Sequence, residues 1–341
     1  MNAKLQDYTI TARAPGKIIL AGEHAVVYGK PALAMAVNRF VTTSISQHAD
    51  KDIRFQVLTD KFSRTLQDLR ILKRETTERY QNYLRGKYLI NDVLRDPLEL
   101  IQYAFIYLID ELAVTLKNGW QITIDSTLPI GCGMGTSAAV ILSLLHVLVN
   151  CCGSLLPVDK YLYFGQEIEN LAHGKSSGLD LFLALYGGCY LFSNGDVKRR
   201  SMTRIPLVLV NTGRPQTSTG ECVAAIAERF QCNDIADNFT KVTMAMDIAL
   251  QQGDLSAVQQ CVRKNHKLLQ DIGVVPSRVA RFIAEVEKLG GAAKVSGAGT
   301  ISGDHAGIVL VLGTAPILDI VQKYGYETLS IAGEFGGVQI V

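Results

Sequence analysis

The sequence predicts a mixed α/β or α+β fold organised as two lobes. Extended and helical segments alternate along the chain, without an internal repeat or a low-complexity linker. Its 341 residues exceed the range of about 100–200 residues that one domain usually occupies. Hydrophobic residues make up 48% of the chain and charged residues 19%, which is enough to build a large core and excludes an intrinsically disordered protein.

Apolar periodicity predicts individual elements along the chain. Apolar helices are expected over Leu98–Leu112 and Ala138–Val149, and an amphipathic helix over Pro276–Leu289. Ala138–Val149 is shorter than the roughly 20 residues that a membrane span needs, which predicts a buried core helix. Strands are predicted at Trp120–Asp125, Leu207–Val210 and Ile308–Leu312.

A polar, turn-rich stretch separates two apolar parts of the chain. It covers residues 195–206 and reads NGDVKRRSMTRIP from residue 194 onward. We therefore place the lobe boundary near residue 200, with one lobe over residues 1–200 and the other over residues 201–341.

Charge and cysteine content limit the possible partners and location. The 34 Lys and Arg residues nearly balance the 32 Asp and Glu residues, so no strong field attracts nucleic acid. Seven scattered cysteines without a Cys-x-x-Cys pair argue against a disulfide framework or a zinc site. The N-terminal residues lack the apolar run of a signal peptide. We expect a cytoplasmic protein that binds neither nucleic acid nor a membrane.

Residues suited to chemistry are concentrated in four short segments. They are Thr11–Gly29 (TARAPGKIILAGEHAVVYG), Leu128–Val140 (LPIGCGMGTSAAV), Glu169–Gly188 (ENLAHGKSSGLDLFLALYGG) and Lys294–Gly307 (KVSGAGTISGDHAG). The chain between them resembles ordinary scaffold.

The second segment predicts a phosphate-binding loop. Gly131, Gly133 and Gly135 alternate and lead through Thr136 and Ser137 into the apolar helix. Glycines let backbone N–H groups converge on a ligand, and the helix N-terminus adds free donors and a partial positive charge. The same pattern is also typical of a tight turn that caps a core helix, and the glycines alone do not separate the two interpretations.

Two standard nucleotide motifs do not match. A dinucleotide-binding fingerprint needs a sixth-position glycine where Thr136 stands. A Walker loop ending at Gly174-Lys175-Ser176 needs a glycine where Glu169 stands. The loop is therefore neither of the Rossmann type nor of the P-loop type.

The first and third segments carry charged residues beside apolar runs. Glu169 and Asp180 flank a glycine-rich turn, so they could supply oxygen ligands to Mg²⁺ and a base for an attacking hydroxyl. Lys17 follows Pro15-Gly16 and could stabilise a transferred phosphoryl group. Acidic residues at helix ends and turns are common without function, and a lone lysine usually lies at the surface.

Together and in this order, the segments resemble the GHMP kinase superfamily and, within it, the mevalonate kinases. APGKIILAGEHAVVYGKPALA is similar to the first motif of those enzymes, and PIGCGMGTSAA resembles the pattern PxGxGxGSSAA. HGKSSGLD resembles HGxPSGxD, and KVSGAG resembles the third motif. The resemblance covers roughly residues 10–312.

The resemblance implies a fold and a reaction. The GHMP kinase fold has an N-terminal ribosomal-S5-like lobe, here the ATP- and substrate-binding residues 1–200, and a ferredoxin-like C-terminal lobe, here residues 201–341. The implied reaction is phosphorylation of mevalonate by ATP with Mg²⁺, giving 5-phosphomevalonate for isoprenoid synthesis. The resemblance also implies a homodimer.

Individual roles follow from the same resemblance. Asp180 matches the proposed general base and Lys17 the lysine beside the accepting hydroxyl. Ser137 and Glu169 match the Mg²⁺ ligands. Glu23 and His24 match positions on the mevalonate side. The implied nucleotide-binding positions are Gly131, Gly133, Gly135, Thr136, Ser137, Gly297 and Gly299.

The chain departs from the family pattern at several positions. Thr136 replaces a serine, Ser176 the proline of HGxPSGxD, and Leu181 the usual asparagine. Residues 300–305 replace a glycine run after the third motif. Ser176 and Leu181 bear most directly on which alcohol is the acceptor.

Other readings of the same residues lead to different functions. Another small-molecule kinase of this superfamily, such as a phosphomevalonate or sugar kinase, would share the phosphate loop. A decarboxylase of the diphosphomevalonate type should lack Lys17 and the Gly-Glu-His sequence. An inactive ATP-binding regulator would generally have lost Asp180 or a metal ligand, and this chain retains them.

Overall fold

The computed structural model describes residues 9–153, 155–193, 196–201, 206–230, 233–313 and 316–341. It confirms an α+β fold with two sheets and helices packed on them. The strands are β1 (Ile10–Ala21), β2 (Ala32–His48), β3 (Ile53–Val57), β4 (Asp60–Arg64), β5 (Gly119–Ser126), β6 (Cys189–Ser193), β7 (Asp196–Arg200), β8 (Leu207–Asn211), β9 (Ala292–Ser296), β10 (Ile308–Leu312), β11 (Glu327–Leu329) and β12 (Gln339–Ile340). The helices are α1 (Leu66–Leu84), α2 (Pro97–Glu111), α3 (Thr136–Cys151), α4 (Val158–His173), α5 (Leu179–Tyr186), α6 (Thr219–Phe230), α7 (Asn233–Gln252), α8 (Leu255–Asp271), α9 (Ser277–Lys288) and α10 (Leu318–Tyr324).

The larger sheet has the strand order β12-β1-β2-β5-β3-β4, and β6 pairs with β2 and β7. Its pairs are antiparallel except for β3 with β5. The smaller sheet is antiparallel, in the order β11-β8-β10-β9. Strand β12 pairs with β1, so the end of the chain lies against the larger sheet.

The predicted boundary near residue 200 stays a prediction. Of the turn-rich stretch on which it rests, residues 195 and 202–205 lie outside the described residues. The described strands of the smaller sheet all follow that stretch.

The periodicity predictions for helices and strands are confirmed. The segment Ala138–Val149 lies inside α3, where most of its side chains are buried against β1 and β2. The helix predicted over Leu98–Leu112 is α2, and the amphipathic helix is α9. The three predicted strands are β5, β8 and β10. Within the described part of the chain, no helix combines the length and apolarity that crossing a bilayer requires.

Candidate active site

A cleft of about 750 Å³ brings the four segments together. Its lining includes residues of each one, among them Lys17, Gly133, Asp180 and Gly297. The segments are far apart in sequence, and the fold places them around one cleft.

The second segment forms a tight loop directly before α3. Gly131, Gly133 and Gly135 all adopt positive φ angles, of 69°, 84° and 72°. Gly135 is the N-cap of α3, and no side chain of the residues that the structure describes caps that helix end. A Cβ on Gly133 would lie 3.2 Å from the Ser296 carbonyl oxygen, so the loop touches the fourth segment. The uncapped helix N-terminus therefore faces the cleft with its backbone donors available.

Strand β1 carries Lys17 to the base of this loop. The β1–β2 register shifts between Pro15 and Gly16, immediately before the lysine. A Cβ on Gly16 would lie 2.9 Å from the Met134 carbonyl oxygen, and the Lys17 N–H donates to that oxygen at 2.9 Å. Glycine at position 16 therefore allows the close approach that fixes the Lys17 backbone against the loop.

Lys17 and Asp180 form an ion pair in the cleft. The Lys17 Nζ lies 3.2 Å from Asp180 Oδ1 and donates to the Gly133 carbonyl oxygen at 3.1 Å. Asp180, in the first turn of α5, keeps 29% of its side chain exposed, while Lys17 is buried. A Cβ on Gly135 would lie 3.0 Å from Lys17 Cγ and 3.4 Å from Asp180 Oδ2. The pair thus lies directly against the N-terminus of α3.

Glu169 lies on α4 with its carboxylate buried beside this pair. The Ser176 hydroxyl donates to Glu169 Oε2. Burial raises the pKa of Glu169 to about 8, and the Asp180 carboxylate acts in the same direction, while the Ser176 hydroxyl and Lys17 oppose it. A buried carboxylate near a second carboxylate is an environment that a bound cation would stabilise.

Two hydroxyls at the start of α3 are unsatisfied. Thr136 Oγ1 and Ser137 Oγ are buried and have no hydrogen-bond partner among the described residues. Buried hydroxyls without a partner are costly unless a ligand completes them. Mg²⁺ prefers hard oxygen ligands such as a carboxylate, a hydroxyl and phosphate oxygens. The residues present therefore fit a Mg²⁺–nucleotide complex.

Glu23 borders the cleft, but its carboxylate points into the protein. Lys294 Nζ donates to Glu23 Oε1, and Asn265 Nδ2 donates to Oε2 at 3.2 Å. Lys294 also donates to the carbonyl oxygens of Ile19 and Val295. Burial lowers the pKa of Lys294, and the Glu23 carboxylate opposes that shift. The placement of Glu23 on the mevalonate side stays a prediction.

His24 links the first segment to the fourth. Its backbone has a φ of 60°, which is uncommon outside glycine, and its Nε2 lies 2.9 Å from the Ala298 carbonyl oxygen. Burial lowers the pKa of His24 to about 4, so the ring is neutral at pH 7. Because Nε2 faces a carbonyl oxygen it carries the proton, and Nδ1 is left as a buried acceptor without a partner among the described residues.

The fourth segment packs against the glycine loop before α3 and against the turn that follows α8. Gly297 and Gly299 have φ angles of 106° and 65°. A Cβ on Gly297 would lie 3.3 Å from Gly133, and one on Gly299 would lie 2.2 Å from the Val274 carbonyl oxygen. Both positions require glycine for close backbone approach, and their contact with a nucleotide stays a prediction.

Two polar residues that line the cleft, His173 and Arg214, had no catalytic or binding role in the sequence analysis. His173, the first residue of the HGKSSGLD motif, lines the cleft, and its buried Nδ1 has no partner in the described part of the chain. Burial lowers the pKa of His173. Arg214 lies over the loop, since a Cβ on Gly131 would come 3.1 Å from its Nε. The position of His173 within the motif was the signal available for it, whereas Arg214 lies outside the four segments.

Comparison with known proteins gives the family of this chain. Residues 99–188 match the family model of the GHMP kinases N terminal domain, and residues 248–301 match that of the GHMP kinases C terminal domain. The mevalonate kinase of Archaeoglobus fulgidus is 30% identical over 84% of this chain and 88% of its own. That of Thermococcus onnurineus is 30% identical over 85% and 86%.

Solved structures share the fold. The Methanococcus jannaschii mevalonate kinase superposes with a TM-score of 0.77 at 21% identity, covering 97% of this chain and 100% of that one. L. major mevalonate kinase in complex with R-mevalonate has a TM-score of 0.67 at 22% identity, covering 94% and 96%. Sequence relatives and fold agree on a kinase, and the chain belongs to the mevalonate kinase family of the GHMP kinases.

Proposed function

We propose that this chain transfers the γ-phosphoryl group of ATP to the primary hydroxyl of mevalonate, giving 5-phosphomevalonate and ADP. The observation that carries the proposal is the Lys17–Asp180 pair, at 3.2 Å, placed against the uncapped N-terminus of α3. Phosphoryl transfer needs an anion cradle and a positioned carboxylate at the same point. Relatives that are 30% identical and named mevalonate kinase support the choice of acceptor.

The nucleotide would lie along the loop before α3. Backbone N–H groups of residues 131–137 would hold the phosphates, with the hydroxyls of Thr136 and Ser137 beside them. Gly297 and Gly299 would face the nucleotide from the fourth segment. An apolar wall of the cleft, which includes Val57, Leu94 and Ile101, offers a surface for the base.

Ser137 and Glu169 would hold Mg²⁺. The unpartnered Ser137 hydroxyl and the buried Glu169 carboxylate are the groups that support this assignment. The ion, when bound, neutralises charge on the β- and γ-phosphates.

Asp180 and Lys17 would act on the acceptor. As the hydroxyl oxygen bonds to the γ-phosphorus and the bond to the β–γ bridging oxygen breaks, the hydroxyl proton passes to Asp180. Asp180 suits this task because its carboxylate is partly exposed to the cleft. Lys17 would stabilise the negative charge on the attacking and transferred oxygens. Positioning and electrostatics then account for most of the rate enhancement.

The acceptor would bind beside His24. Its neutral ring presents Nδ1 as an acceptor for a hydroxyl, which supports the placement of mevalonate near His24 and Glu23. Glu23 would hold the side of the cleft next to His24 in place through its hydrogen bonds with Lys294 and Asn265.

An ADP-release assay with Mg-ATP tests the proposal. The acceptors are mevalonate, phosphomevalonate, diphosphomevalonate, galactose and homoserine, with Asp180→Asn as the control enzyme. We expect turnover on mevalonate alone and a loss of at least about a hundredfold in kcat with Asp180→Asn. Turnover on another acceptor only would keep the kinase and replace the substrate, whereas near-wild-type turnover by Asp180→Asn would overturn the assigned base.

A further inference from the structure

We infer that Ser176 is a positioning residue that orients the Glu169 carboxylate for the metal ion and fixes the turn leading to Asp180. This inference rests on the proposed function, because that function assigns Mg²⁺ to Glu169. Ser176 stands where the pattern HGxPSGxD has a proline, which carries no hydroxyl.

The Ser176 hydroxyl makes two hydrogen bonds with different elements. It donates its single proton to Glu169 Oε2, close to the end of α4. It accepts from the Gly178 N–H at 3.0 Å, and Gly178 is the N-cap of α5. One hydroxyl therefore joins the proposed metal ligand to the turn that presents Asp180.

The Ser176 backbone is held by two side chains of α4. Its N–H donates to Asn170 Oδ1 at 2.8 Å, and its carbonyl oxygen accepts from Gln166 Nε2 at 3.1 Å. These bonds fix the main chain on both sides of the Cα atom. The hydroxyl is thus placed by contacts that do not depend on Glu169.

The hydrogen bond from Ser176 determines which oxygen of the Glu169 carboxylate remains available to a metal ion. Oε2 of Glu169 accepts from Ser176, and no hydrogen bond to Oε1 is found among the described residues. A hydrogen bond to one oxygen of a ligating carboxylate fixes its rotation, and loss of such partners commonly costs about 10–100-fold in metal affinity. Alanine at position 176 would free the Glu169 side chain to rotate within its buried site.

Metal-dependent nucleotide binding tests the inference without turnover. The β,γ-imido analogue of ATP is titrated calorimetrically into each enzyme, once with excess EDTA and once with saturating Mg²⁺. The dissociation constant with EDTA divided by the dissociation constant with Mg²⁺ measures how much the metal ion strengthens nucleotide binding. Ser176→Ala should lower this ratio about tenfold, and its Mg²⁺-free constant should stay within about twofold of wild type.

Three variants make the result interpretable. Ser176→Thr keeps a hydroxyl and should preserve the ratio. Ser143→Ala removes a buried serine hydroxyl of α3 that hydrogen-bonds Thr43 Oγ1 of β2, away from the cleft, and should leave the ratio unchanged. Glu169→Gln should lower the ratio at least as much as Ser176→Ala.

Each contrary outcome has a distinct meaning. An unchanged ratio in Ser176→Ala, together with a lowered one in Glu169→Gln, would overturn the role of Ser176 and leave the proposed function intact. An unchanged ratio in Glu169→Gln would overturn the metal assignment and the inference together. If Ser176→Ala does not fold, a tenfold loss of the ratio in the hydroxyl-bearing Ser176→Thr would overturn the inference instead.

Discussion

Two lysine–carboxylate pairs contribute residues to the lining of the same cleft, Lys17 and Asp180 from one pair and Glu23 from the other. They differ in how completely the protein encloses them. Lys17 pairs with Asp180, whose side chain is 29% exposed. Lys294 pairs with Glu23, and both side chains are 0% exposed. Each lysine lies on a strand, β1 or β9, and each reaches a residue distant in sequence.

The two carboxylates also differ in their hydrogen-bond partners. Glu23 accepts from both Lys294 and Asn265, and Lys294 donates to two further carbonyl oxygens, so the protein itself satisfies that pair. Lys17 donates to the Gly133 carbonyl oxygen as well as pairing with Asp180, and the Asp180 side chain stays partly exposed. A buried pair whose polar atoms all have partners within the protein is costly to break. A pair that keeps an exposed carboxylate oxygen can exchange a proton or bind a ligand. The first arrangement suits stability and the second suits chemistry.

The largest expected effect is on stability, from Lys294→Met. The substitution leaves the Glu23 carboxylate buried without its cation, and breaking a buried pair in this way costs about 3–5 kcal/mol. The free energy of unfolding from urea titration measures the loss. Lys30→Met is the matched control, because the Lys30–Asp237 pair is 35% and 55% exposed and such pairs contribute at most about 1 kcal/mol.

Equal unfolding free energies for Lys294→Met and Lys30→Met would show that burial of the ion pair does not determine how much each lysine contributes to stability. Glu23→Gln combined with Lys294→Met sharpens the result. The double variant removes both charges, so it should be more stable than Lys294→Met alone.

The next effect is on turnover, from Lys17→Met. We expect kcat to fall at least about a hundredfold, which corresponds to about 2.7 kcal/mol in the activation barrier. The unfolding free energy should fall less than in Lys294→Met, because the partly exposed Asp180 can be solvated after the cation is lost. Steady-state assays and urea titrations of the same preparations provide both numbers. A large stability loss with retained kcat would reverse the roles assigned to the two pairs.

Local patterns predicted much of the scaffold. The apolar run of α3 and the alternation in β5 have the correct type and nearly the correct bounds, because side-chain periodicity reports burial directly. The alternating glycines likewise predicted a tight loop before α3. Such features depend on neighbours in sequence.

The interior of the site could not be predicted in the same way. The Glu23–Lys294 bond joins residues 271 positions apart, and its existence depends on how the two sheets pack. The Ser176 hydroxyl reaches Glu169 only because α4 and the following turn fold back on each other. The positive φ of His24 also had no sequence signal, since only a few per cent of residues other than glycine adopt a positive φ.

The smallest effect is a pH dependence of stability near the enclosed pair. Burial lowers the pKa of His266 to about 4 from 6.5, and the Lys294 charge acts in the same direction. Between those pH values the unfolded chain binds a proton at this residue and the folded chain does not. Stability is therefore lost as the pH falls, by about 2 kcal/mol for this residue between pH 7 and pH 5.

Urea titrations of wild type and His266→Gln from pH 7 to pH 5 measure this contribution. The variant should lose less stability over the interval, by about the same 2 kcal/mol, and parallel curves would contradict the assignment. His24, also buried and neutral, will leave a residual slope in both proteins. In a Lys294→Met background the difference should shrink, because a proton on His266 no longer meets the lysine charge. That dependence would tie the acid sensitivity to the enclosed pair rather than to burial alone.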